Sequence, residues 1–177
     1  MIFSANQLNG VVGKVIKSIL NIKEDGKMST TLQKTKKGLN YLEKGQFKAA
    51  IKNFEAAVRV GDGSNLERDV AALFMVNTAA YRREWKKRRY GNANLVMYDT
   101  DNLGNAWTDI DIAAVLVTPN TKKMNNYLAK FLGRNLNAIS FQRRYAYGRP
   151  LGSWRTESGE RYTRYTQTQA VKNRLGV

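Results

Sequence analysis

The chain of 177 residues contains no cysteine and no histidine. Without cysteine there can be no disulfide framework, no cysteine-type zinc site and no thiolate nucleophile. Without histidine the commonest general base, the Ser-His-Asp triad and most transition-metal sites drop out together. No apolar run approaches the length of a membrane span. The opening MIFSANQLNGVVGKVIKSIL lacks a basic leader and a continuous apolar stretch, being interrupted by Lys14 and Lys17, so neither a signal peptide nor a membrane partner is expected. Two local absences are as informative. Residues 91–118 hold no basic side chain, and residues 141–165 hold no lysine.

What is present is positive charge on a chain able to fold. Apolar residues make up 42% and aromatics 10%, enough for one domain with a core. The net charge of +16 is uneven: +7 over 1–60, +3 over 61–90, −4 over 91–118 and +10 over 119–177. Such an excess calls for a polyanion or an acidic neighbour, and nucleic acid is the default expectation.

Along the chain, Leu8, Val11, Val12, Val15, Ile16, Ile19 and Leu20 fall at helical spacing and predict a helix over about 4–22. A second helical region runs from Ser29 and breaks at Gly45 before ending at Gly61-Asp62-Gly63. Within it Tyr41, Gly45, Phe47, Ala50, Ile51, Phe54, Ala57 and Val58 sit in the pattern of one tetratricopeptide repeat, so residues 29–61 alone resemble that family. The resemblance implies two antiparallel helices, with Gly38, Ala50 and Ala57 admitting close approach and Tyr41, Phe47 and Phe54 filling the seam. Lys37 stands where the family has an apolar residue and Asp62 where it has proline. An ordinary helical hairpin accounts for the same residues.

Ser64-x-x-Glu67 is a capping box and predicts a third helix, with an apolar stripe from Leu66 to Trp85. That helix ends in YRREWKKRRYG, where Arg82, Arg83, Lys86, Lys87, Arg88 and Arg89 exceed what the helix dipole requires. We expect them to meet phosphate or an acidic partner. The segment 94–118 reads as a β-hairpin with its loop near 101–105, Asp109 and Asp111 facing opposite to Ile110 and Ile112. Thr121 then caps a fourth helix carrying Met124, Tyr127, Leu128, Phe131, Leu132, Leu136 and Ile139, weakened by Gly133.

Asp99, Asp101, Asp109 and Asp111 form the one carboxylate cluster of the sequence. Leu103 and Ile110 occupy positions where a calcium loop needs ligands, which excludes that motif. Hairpin turns and a solvated strand face explain these residues better than a metal-dependent nuclease does. No metal site and no cofactor are expected.

Residues 141–165 alternate six arginines with six aromatics. Arginine grips phosphate or carboxylate with a planar fork and stacks on rings, and aromatics stack on bases. The same pair of residue types marks protein hot spots. The candidate contact residues here are Arg143, Arg144, Tyr145, Tyr147, Arg149, Trp154, Arg155, Arg161, Tyr162, Arg164 and Tyr165.

The expected fold is therefore α+β: a mainly helical body of about four helices over 1–140 with a β-hairpin at about 94–118, and an extended basic arm over 141–177. The expected function is non-enzymatic, as a structural or assembly component of a large nucleoprotein particle. The seventeen asparagines point to a bacteriophage virion protein (capsid, connector or internal), assembled in the cytoplasm, with protein subunits and nucleic acid as partners. The alternatives are a free-standing or ribosome-associated nucleic-acid-binding protein and, behind it, the nuclease.

Overall fold

The structure, a computed structural model, describes residues 28–90, 105–147 and 159–177, with side chains described for 28–85, 105–147 and 163–177. The helix expected over 4–22 and the first expected strand lie outside these residues. The described residues form seven helices and no strand: α1 (Thr30–Glu43), α2 (Phe47–Arg59), α3 (Asn65–Tyr90), α4 (Asp109–Val117), α5 (Lys122–Phe131), α6 (Leu136–Tyr147) and α7 (Gly159–Leu175).

Helices α1 and α2 make the hairpin that the sequence predicts. The turn is a Schellman motif in which Gly45, at φ 74°, occupies the left-handed conformation. Its amide donates to the Leu42 carbonyl at 2.9 Å, and the Gln46 amide donates to Tyr41 at 2.9 Å. Gly38 sits directly on the Phe54 ring: a Cβ there would lie 2.5 Å from Cε1. Phe54 stacks in turn on Phe74 of α3 (5.6 Å between centroids).

The expected capping box is formed. The Ser64 amide donates to Glu67 Oε2 at 3.0 Å and the Glu67 amide to Ser64 Oγ at 3.3 Å, opening α3 after Ser64. Glu67 is buried (1% exposed). It also accepts from the hydroxyl of Ser29, the N-cap of α1, at 2.7 Å. One carboxylate thus ties two helix starts together. Helix α3, at 26 residues about 39 Å long, is the spine. On its second side Phe74 and Tyr81 meet Phe131, and Tyr81 meets Tyr127 edge-on at 5.2 Å.

The expected β-hairpin is overturned: its second strand is helix α4. Thr108 and Asp111 form a reciprocal capping box at its start, so the acid that alternation assigns to a strand face is an N-terminal helix acid. Every residue from Ile112 to Val117 is then buried, because α3, α6 and α7 pack around this short helix. A helix apolar on all sides shows no 3.6-residue stripe, and its Ile and Val content mimics a strand.

Two further expectations are corrected. The single fourth helix is two, α5 and α6, separated at Gly133 (φ 59°), where the Arg134 amide donates to the Ala129 carbonyl at 2.9 Å in a second Schellman turn. The extended C-terminal arm is also overturned. Residues 141–147 continue α6 and residues 159–175 form α7. Val171 and Leu175 of α7 are each 1% exposed in the core. Among the described residues no helix is long and apolar enough to cross a membrane.

Candidate partner-binding surfaces

A buried helix must satisfy the carbonyls of its last turn with something other than water. At the C-terminus of α4 the Thr118 hydroxyl donates to the Ala114 carbonyl at 2.7 Å. The next two are served from α6. Arg143 Nη1 donates to the Val115 and Thr118 carbonyls (both 3.1 Å), and the Tyr147 hydroxyl donates to Leu116 at 3.3 Å. Arg143 Nη2 reaches the Pro119 carbonyl at 3.3 Å and Nε the Asn125 side-chain oxygen at 3.0 Å. Arg143 is 6% exposed. Burial pulls its pKa downward, yet a guanidinium stays protonated, and a cation at a helix C-terminus is favoured by the dipole.

Before the opposite end of α4, a second buried arginine that the sequence pattern does not single out ties down the chain leading into the helix. Arg134, 4% exposed, donates to the carbonyls of Asn105 (2.6 Å) and Ala106 (2.8 Å) and lies 4.7 Å from the Trp107 ring centroid. It also approaches Asp111 at 3.4 Å. Asp109 accepts from Gln167 (2.9 Å) and from Arg174 (2.6 Å), both on α7. The signal that could have found Arg134 is its place just after a Schellman glycine, where the chain turns back toward the preceding helix.

The remaining arginines and rings of the 141–165 segment do not share one surface role. Tyr145 is buried, and the carbonyl behind it accepts from Gln169 of α7 at 3.0 Å. Arg144 is exposed and lies 5.3 Å from the ring of Phe141, itself 54% exposed. Arg164 and Tyr165 are half-buried on α7. Arg161 and Tyr162 belong to the α7 backbone, their side chains lying outside the described ones. Arg149, Trp154 and Arg155 lie outside the described residues, as do Asp99 and Asp101. Asp109 and Asp111 are engaged at the start of α4. Among the described residues no group of three or more acids could hold a metal ion.

The other candidate surface is the end of α3. The helix continues through Tyr90 and so carries Arg82, Arg83, Lys86, Lys87, Arg88 and Arg89 on one continuous backbone. Trp85 anchors it by ring contact with Phe47 (6.0 Å). The acid within this run, Glu84, is taken by Lys130 at 2.7 Å. Arg83 is exposed and Arg82 half-buried, and neither has an ion pair among the described residues. The basic end of α3 is therefore not neutralised internally as far as Trp85. Comparison with protein-family models, with characterised proteins and with solved structures finds no match for this chain.

Proposed function

We propose that the chain is a non-enzymatic structural component of a large nucleoprotein particle, with the basic end of α3 as its nucleic-acid contact. The observation that carries this reading is the uninterrupted helix to Tyr90, whose residues 82–90 hold six cations and one acid, Glu84, which is consumed by Lys130. A rigid rod of cations fits a phosphate backbone better than it fits a solvated helix face, since each phosphate it neutralises releases counterions. The partner for the helical body is a neighbouring subunit. The compositional support for a virion protein of a bacteriophage is the charge of +16 and the abundant asparagine without cysteine or histidine.

The test is salt-titrated binding of duplex and single-stranded nucleic acid by the full chain and by the variant R82Q/R83Q/K86Q/K87Q. Through counterion release, the slope of log K against log salt shrinks by about 0.9 for each duplex phosphate that is no longer neutralised. The variant is expected to bind far more weakly, with a slope shallower by about 2–4. Equal slopes for the two proteins would overturn the assignment of nucleic-acid binding to α3.

A further inference from the structure

A cleft of about 620 Å³ opens where α1, the α4–α5 connection and α6 meet. Its volume lies in the range of small-molecule sites. Lys36 and Asn40 of α1 form one wall, Leu116, Val117 and Pro119 the apolar floor, and Arg143 and Tyr147 of α6 the other wall. Among the described residues no acidic side chain lines it.

Arg143 is the unusual group. A buried charge is ordinarily paired with an opposite one. Arg143 makes four hydrogen bonds, three to carbonyls and one to an amide oxygen, and none to a carboxylate. A guanidinium has five N–H donors, so one on Nη2 is left over. Lys36, half-buried across the cleft, likewise has no ion pair among the described residues. Glu43, one turn along α1 from Asn40, is absent from the lining and accepts from the Thr121 hydroxyl at 2.8 Å.

We propose that this cleft binds a phosphomonoester carrying a planar ring, that is, a nucleoside monophosphate unit. Two cations without a carboxylate partner, Lys36 and Arg143, match the charge of about −1.5 to −2 on a phosphomonoester near neutral pH. Asn40 and Asn120 supply further amide donors at the rim. The ring has a platform in Tyr147, which is 62% exposed, is held by its hydroxyl to Leu116, and has Lys172 5.4 Å from its centroid. Base–aromatic stacking of this kind is sequence-tolerant. This site is separate from the α3 surface and needs only α1, α4 and α6 in place.

The experiment is calorimetric titration of the full chain with adenosine 5′-monophosphate, adenosine and inorganic phosphate. The monophosphate is expected to saturate one site per chain with a dissociation constant below about 1 mM. Lys36→Gln, at a half-buried surface position, is expected to weaken it about tenfold or more while its thermal melt stays close to the parent's. Tyr147→Leu is expected to weaken the monophosphate while leaving inorganic phosphate unchanged. A short oligonucleotide tested with and without a 5′-phosphate then identifies the source: displacement of the monophosphate only by the phosphorylated strand marks a strand end, and no displacement by either marks the free nucleotide. The proposal is overturned by absence of saturable binding, by unchanged affinity in Lys36→Gln, or by adenosine binding as tightly as its monophosphate. It is also overturned if the α3 charge variant alone abolishes the signal, which would move the nucleotide to that helix.

Discussion

Arg143→Met removes the guanidinium from the end of α4 and keeps a side chain of similar reach. The Val115, Thr118 and Pro119 carbonyls are then without this donor. Pro119 retains the Thr121 amide at 3.0 Å, and Val115 and Thr118 belong to buried residues that water reaches poorly. An orphaned buried acceptor costs about 1–3 kcal/mol, so two give about 2–6 kcal/mol. Removing a buried charge that lacks a counter-ion returns part of this. The net destabilisation expected is about 3 kcal/mol, a large share of the ~5–15 kcal/mol that holds a domain together. For a chain of this size it lowers the melting temperature by about 6–12 °C. Arg143→Lys keeps the charge but places three donors on one nitrogen instead of five on a fork. It should fall between the two, destabilised by about 1–2 kcal/mol. Urea unfolding followed by circular dichroism measures both, with equal m-values confirming that the unfolded states are comparable. Stability of Arg143→Met within about 0.5 kcal/mol of the parent would mean that the guanidinium does not close α4.

Three other substitutions test separate parts of the fold. Gly38→Ala should gain about 1 kcal/mol of helix propensity and lose more through the 2.5 Å approach to Phe54, whose ring is fully buried, for a net destabilisation of about 1–2 kcal/mol; a raised melting temperature would show that the α1–α2 seam has room for a methyl group. Hydrogen bonds from Thr30, through its side chain first, and from Thr31 hold the Asp62 carboxyl down, from the ordinary 3.8 to about 2, against the opposing effect of burial. Its stabilisation is therefore present above about pH 4 and lost as pH falls through about 2. The gap in melting temperature between the parent and Asp62→Asn should accordingly close between pH 5 and pH 2, and a gap constant over that range would remove the carboxylate from the α1 cap. Gln142 is buried with Nε2 donating to Thr168 at 2.7 Å while Oε1 has no partner. Gln142→Met should thus cost under about 1 kcal/mol or stabilise, and a cost above about 2 kcal/mol in denaturant titration would contradict this.

The parts of the fold legible in the sequence are those where a local device and a helical stripe coincide. The Ser64-x-x-Glu67 box, the Gly45 turn and the small residues against Phe54 all act within one or two turns of chain, and each stands where expected. Asp62, which in the sequence is only a departure from the repeat pattern, accepts from the Thr30 and Thr31 amides at 2.7 and 3.1 Å, closing the start of α1 from 31–32 residues away. Helix α4 reads as a strand because burial on all sides erases its period while Asp109 and Asp111 alternate with isoleucine. The arginine-and-ring segment is legible as special but not as to its purpose. The same guanidinium geometry that grips a phosphate also spans carbonyls at a helix end, and nothing in residues 141–147 says that Val115 will be the acceptor. For the candidate cleft, Arg143 and Tyr147 stand out in the sequence, whereas Lys36 is one lysine among many until α1 brings it opposite them.

The two-ended closure of α4 also bears on the order in which this chain can become a protein. A nine-residue helix is too short to persist alone in water. Its closing groups arrive late: Arg143 lies 28 residues beyond Val115, and Gln167 and Arg174 lie 58 and 65 beyond Asp109. During synthesis, the hairpin and α3 can therefore settle through near-neighbour packing while the Ile112–Val117 run has already been made but has only α3 to cover it, α6 and α7 being still to come. A chain cut at residue 140 would be arrested at that stage. It would not be a body relieved of a tail. It would be an incomplete protein with its most apolar helix open at the carbonyl end, and a handle for chaperones or for aggregation.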